Sequence, residues 1–185
     1  QGPIANGNLS DCVVVAMHRT SDDGACSIHA ATGVRKLHSS RRDAFRPVNT
    51  QPLATVSIDD GTIEIELSEH YQKNRMQHSE REIATAASRF KSDLSIRQFM
   101  SGPWLLSAEI NEAIESNVDA LVIHGTGLGH VPIENPNEDA PQNLELRSSI
   151  QKAIDHNIPV MIVNQCIHGP VDMNVYSKGR IQQEM

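Results

Sequence analysis

Cysteine is scarce in this 185-residue chain: Cys12, Cys26 and Cys166 only. The number is odd, the spacings are wide and no C-x-x-C occurs, which argues against a disulfide framework or a structural zinc site. Reduced thiols in a cytoplasmic protein fit better. No H-E-x-x-H or similar pair exists among the nine histidines, so they read as solvated or hydrogen-bonded side chains rather than metal ligands. No metal and no other cofactor is expected. No apolar run approaches the roughly 20 residues that cross a bilayer, and no basic stretch followed by an apolar one opens the chain. Membrane association is therefore not expected.

What is present fits a folded domain of modest polarity. Hydrophobic residues make up 38%, and 16 Lys+Arg stand against 23 Asp+Glu, for a net charge of −7. The length suits one medium domain or two small ones. Such a fold buries roughly 70% of the surface its unfolded chain exposes.

Patterning divides the chain. Val13-Val14-Val15-Ala16-Met17 is a continuous apolar run, which predicts a strand buried on both faces of a parallel sheet. Such a strand needs covering helices that the first 55 residues do not supply, so another chain or absent upstream residues should cover it. A second strand is expected over 26–31, after the turn 21–24. Ile63, Ile65 and Leu67 alternate with glutamates after Asp60-Gly61, the signature of a hairpin. Ser79-x-x-Glu82 resembles a capping box and predicts a helix from Ser79.

The last third is the most regular. A short strand is expected near 96–100. Ser107 can cap a helix carrying Ile110, Ala113 and Ile114, and Asn117 can end it. Ala120–Ile123 reads as a buried strand and 132–141 as a Pro- and Asn-rich insertion. Leu146, Ile150, Ala153 and Ile154 mark a second helix, stopped by Asn157 and Pro159. Val160–Val163 is the next strand, parallel to the previous one. Composition shifts near 55 and 105 suggest boundaries, giving segments 1–55, 56–104 and 105–185.

In a parallel sheet, ligands bind beyond the carboxyl ends of the strands. Two loops leave such ends, 125–130 and 164–168. Gly125, Gly127 and Gly129 could let backbone N–H groups approach a ligand, with His130 at the rim; they could equally make only a tight turn. The pattern is not G-x-G-x-x-G, so no dinucleotide site is expected. Ser39, Ser40 and Thr126 are nucleophiles by residue type, yet none has an obvious local base. His18 and His168 read as ordinary core or rim histidines. Lys36 lies among cations. Partly desolvated beside Arg35, it would have a lowered pKa suited to proton transfer; the alternative is a solvated basic loop. Arg35, Lys36, Arg41, Arg42 and Arg46, opposed only by Asp43, could contact phosphates. With aromatics at 3% and none interleaved as pairs here, a salt-bridged face is the competing reading.

Three blocks resemble a known family: Val34 to Arg46 (V-R-K-L-H-S-S-R-R-D-A-F-R), Gly125 to Pro132 (G-T-G-L-G-H-V-P) and Met173 to Arg180 (M-N-V-Y-S-K-G-R). In that order they are similar to a tRNA-dependent amidotransferase subunit of archaeal type, within the L-asparaginase superfamily. The resemblance runs over roughly 11–180 and is loosest at 55–105. It implies an α/β fold: a parallel-sheet asparaginase-like arrangement with a partial N-terminal domain (1–55), a hairpin and helical connection (56–104) and a smaller C-terminal α/β domain (105–185).

The resemblance also implies a chemistry. Family members cleave a side-chain amide through a threonine nucleophile, with a lysine, an aspartate and a second threonine moving protons. The V-R-K match carries the lysine onto Lys36 as a catalytic residue. Family members pair so that the C-terminal domain of one subunit completes the active site of another. That implies a homodimer, with Gly129, His130 and Gln165 as substrate-binding positions. Glutamine or asparagine would be the substrate, and a partner subunit acting on tRNA would use the ammonia. The family's T-G-G-T and T-D-T motifs do not occur in these residues. They are expected upstream, and the 185 residues alone are expected to be inactive. A simple cytosolic L-asparaginase and a non-catalytic scaffold are the competing readings.

Overall fold

β1 (Val14–His18) runs antiparallel to β2 (Ala25–Ala30) in a computed structural model that describes residues 13–78 and 91–185. Residues 19–24 alone join the two strands, far short of the dozen or so that a parallel crossover needs. This overturns the expected doubly covered parallel strand at 13–17. β1 is instead the edge of a four-stranded antiparallel sheet, ordered β1-β2-β5-β6, with β5 (Ala54–Asp59) and β6 (Thr62–Leu67). Val13 is 80% exposed and Ala16 is exposed, so the demand for helices on both faces of this strand falls with it.

The hairpin forms where its turn residues stand. Asp60 and Gly61 both have positive φ, 44° and 80°, as the turn that matches strand twist requires. Ile28, Leu53, Ala54 and Tyr71 are the buried cluster of this sheet, with Val14, Ala30, Val56 and Leu67 packed against them. Tyr71 comes from α1 (Glu69–His78), a helix without an apolar stripe that the periodicity did not reveal. Ser68 starts it: its Oγ accepts the Tyr71 N–H at 3.2 Å. The helix expected from Ser79 lies outside the described residues. β3 (Val34–Lys36) and β4 (Phe45–Pro47) form a separate two-stranded antiparallel sheet.

The second sheet is parallel throughout, ordered β7 (Ile96–Met100), β8 (Ala120–Gly125), β9 (Val160–Asn164). α2 (Ser107–Glu115) and α3 (Pro141–Asp155) make the two crossovers. Both pack on one sheet face, where Ile110, Ile114, Leu121, Ile123, Leu146 and Ile150 share a cluster. The opposite face carries exposed Ile96, Met100 and Met161. Ser107 is the first helical residue rather than the cap; the Leu106 N–H is held by Glu109 Oε2 at 3.0 Å. Asn117 (φ 53°) and Asn157 (φ 59°) end α2 and α3 in the left-handed region, as expected of asparagine. α4 (Ser177–Glu184) follows β9.

The chain forms two compact units, Gln1–Ala87 and Ser88–Met185. Residues 56–104, read as a connection, divide between them: β5 and β6 complete the first sheet and β7 starts the second. No described helix is long and apolar enough to cross a membrane.

Candidate functional site

The three parallel strands end side by side, at Met100, Gly125 and Asn164. Gln165 stitches these ends together. Its Nε2 donates to the carbonyls of Ser101 and His124 at 2.6 Å each, and its backbone N–H donates to Gly125 at 3.0 Å. Ser101 is fully buried, and its N–H also donates to the His124 carbonyl. Both loops expected at this edge are therefore there. The amide N–H groups of Gln165 are engaged, and its Oε1 accepts no bond among the described residues.

The glycine loop is closed on itself. The Thr126 N–H donates to the His130 carbonyl at 2.9 Å, and the Gly129 and His130 N–H groups donate to the Thr126 carbonyl at 2.9 and 2.8 Å. Thr126 Oγ1 also donates to the His130 carbonyl, so it is a turn residue and not a nucleophile held by a base. The Thr126, Gly129 and His130 N–H groups are thus engaged inside the loop. A Cβ on Gly125 would overlap the Gly129 backbone, and Gly129 at φ 96° packs under Val171 and Met173. The glycines let the turn close on itself.

His130 is buried, 8% exposed, not at an open rim. Tyr176 meets its ring edge-on, centroids 5.3 Å apart. Gln182, on α4, grips the backbone on both sides of it: Nε2 donates to the Gly129 carbonyl at 3.1 Å and Oε1 accepts the Val131 N–H at 2.9 Å. His130 Nε2 is buried and has no hydrogen-bond partner among the described residues. Such a nitrogen is costly to leave alone. Gly179 fits the Met173–Arg180 block together, because a Cβ there would overlap the Met173 carbonyl. Tyr176 and Gln182 were not singled out as site residues. Tyr176 lies within a block whose spacing has no local periodicity, and Gln182 lies beyond it.

Lys36 ends β3 opposite Phe45 and is exposed within its own unit. The partial burial invoked for it is not supplied there. The basic stretch proves to be mostly an internal ion-pair network. Asp43 is buried and receives Arg41 at 2.8 Å (Nε) and 2.7 Å (Nη2), together with Arg46 Nη2. Arg42 pairs with Asp23. Arg35 and Lys36 make no ion pair among the described residues. Hydrogen bonds from Arg41, opposed by burial and helped by both guanidinium charges, hold the Asp43 carboxyl below its usual range. Asp43 read in sequence only as the single opposing charge; arginines two residues before and three after it were the available signal.

His29 on β2 was not singled out either. It is 2% exposed, and neither ring nitrogen has a partner among the described residues. Burial, and secondarily the Arg46 charge, lowers its pKa. His18 Nδ1 is likewise buried without a partner there. Among the described residues no cluster of three or more His, Cys, Asp or Glu could hold a metal.

Comparison with known proteins bears on both units. Residues 104–185 match the glutaminase/asparaginase C-terminal domain, and residues 5–71 match the asparaginase N-terminal domain. The D-type subunit of glutamyl-tRNA(Gln) amidotransferase from Methanobrevibacter smithii is 34% identical over 95% of this chain and 38% of its own length. The protein of the same name from Pyrococcus furiosus is 36% identical over 91% of this chain and 34% of its own. The chain thus spans only a little over a third of these curated relatives. The thermostable L-asparaginase from Thermococcus kodakarensis superposes with a TM-score of 0.59 over 85% of this chain and 42% of that one. At 22% identity that likeness concerns the α/β fold alone.

Proposed function

Because the chain belongs to the glutaminase/asparaginase family, we propose that its parent protein is the amide-hydrolysing subunit of a tRNA-dependent amidotransferase. It releases ammonia from glutamine or asparagine, and a partner subunit uses that ammonia on glutamyl-tRNA(Gln). The observation that carries this reading is the similarity to the two amidotransferase relatives over 91–95% of the chain. In the reaction a threonine hydroxyl attacks the amide carbon, the C–N bond breaks, ammonia leaves and water hydrolyses the acyl-enzyme. Lys36 handles the proton of that hydroxyl. His130 meets the substrate through Nε2, with Gly129 and Gln165 shaping the edge where it binds. These 185 residues contain no T-G-G-T and no Thr-Asp, so the attacking hydroxyl lies elsewhere in the parent and this chain alone releases no ammonia. The parent acts in the cytoplasm as a homodimer.

A glutaminase assay on the full-length parent tests this. Lys36→Met is expected to lower kcat by about 100-fold or more; wild-type turnover would remove Lys36 from the mechanism. The matches of both units to glutaminase/asparaginase domains favour a second reading, free-standing amide hydrolysis. Activity that rises with the partner subunit and tRNA supports the first reading; indifference to both supports the second.

A further inference from the structure

The basic stretch 35–46 is a candidate phosphate contact by composition, and the structure spends most of it otherwise. Three of its five cations are paired inside the unit: Arg41 and Arg46 on Asp43, Arg42 on Asp23. Asp43 itself is 4% exposed, while both of its arginines are about half exposed. A buried carboxylate with two charged donors is ordered far more tightly than an exposed ion pair.

The cluster sits in the connection that carries Lys36. The Leu37 N–H donates to the Ala44 carbonyl at 2.8 Å, closing the loop directly after Lys36 and directly before Phe45, its cross-strand neighbour. Within that loop His38 Nδ1 accepts the Ser40 and Arg41 N–H groups at 3.2 Å each. Arg46 is the cross-strand neighbour of Arg35, one residue from Lys36. Its Nη1 donates to the Arg19 carbonyl, just past β1, at 3.2 Å. Arg42 reaches Asp23 in the same β1–β2 connection. The two-stranded sheet is thereby tied to the four-stranded one through guanidinium groups, and Asp43 holds Arg46 in the orientation that makes its tie.

We infer that Asp43 is a positioning residue for Lys36: through Arg41 and Arg46 it fixes the β3–β4 sheet, and with it the lysine, against the β1–β2 connection. This rests on the role proposed above for Lys36. Exposed lysine side chains are flexible, and a misplacement of about 1 Å can cost on the order of 100-fold in rate. A fixed strand end limits how far the ammonium can stray.

The test uses the full-length parent protein with amide substrate. Asp43→Asn keeps size and removes the charge that both arginines need. The expected result is a kcat lower by about tenfold or more, KM within about twofold, a melting temperature close to wild type and partial recovery with Asp43→Glu. If Asp43→Asn does not fold, Arg46→Lys takes its place, with a several-fold fall in kcat expected. Wild-type kcat in the folded variant, while Lys36→Met is inactive, overturns the inference and leaves the function intact. A kcat loss that merely tracks a lowered melting temperature, without rescue by Asp43→Glu, makes Asp43 a stability residue only and also overturns it. Wild-type kcat in Lys36→Met removes the functional reading, and the inference with it.

Discussion

In the unit of residues 88–185, twelve buried apolar residues form one cluster beneath a parallel sheet. Among the described residues of the unit 1–87 the corresponding cluster holds four, and the buried groups there include Asp43 and His29. The first is held by area removed from water, which changes little with pH or salt. The second leans on charge and on titratable groups taken out of water, which depend on both. The parallel sheet requires such a core, because its crossovers are helices that must bury a face. In the antiparallel sheet short links join β1 to β2 and β5 to β6, while residues 31–53 connect β2 to β5.

The contrast can be broken most forcefully in the larger core. Leu121 is fully buried on the central strand, and Leu121→Ala should cost about 2–5 kcal/mol. Urea unfolding followed by the single tryptophan, Trp104 of the second unit, measures it. A cost below about 1 kcal/mol would mean that this core is loosely packed. A smaller loss is expected from Gln182→Ala, which strands the buried Val131 N–H and frees the Gly129 carbonyl: about 1–3 kcal/mol by the same titration.

Acidification sharpens the comparison with the gentlest effect. The folded pKa of His29 is lowered, so the unfolded chain binds its proton first. Stability is intact above the ordinary imidazole value of 6.5 and is lost as pH falls from there towards the depressed folded value. The lowered carboxyl of Asp43 adds a second loss, beginning below the ordinary carboxylate value of 3.8. Protection factors of the β2 amides, with each exchange rate referred to its intrinsic rate at the same pH, should therefore fall between pH 7 and 5 while Trp104 fluorescence holds steady. Parallel loosening in both units, or none in β2, would contradict the distinction.

The sequence was most legible where one residue type has one use. Asp60-Gly61 specified the hairpin turn, Asn117 and Asn157 the helix ends, and the apolar runs at 120 and 160 the parallel strands. It misled at 13–17, where an apolar run looked doubly buried although the short link 19–24 permitted only an antiparallel partner. α1 was missed because its sequence, E-H-Y-Q-K-N-R-M-Q-H, carries no apolar stripe. Of the site, the edge formed by 125–130 and 164–168 was readable from strand direction. The grip of Gln182 on either side of His130, and of Asp43 on two arginines, was not: pairings between side chain and distant backbone, or within an irregular loop, leave no period in a sequence.

The self-bonded turn at 125–130 has a thermodynamic corollary. A segment already ordered before a ligand arrives gives up little conformational entropy on association, so recognition there should carry a small ordering penalty. The same rigidity denies it induced fit. On the proposed function, a relative that prefers a longer or shorter amide would have to differ in the side chains around the turn, such as His130 and its ring neighbour Tyr176.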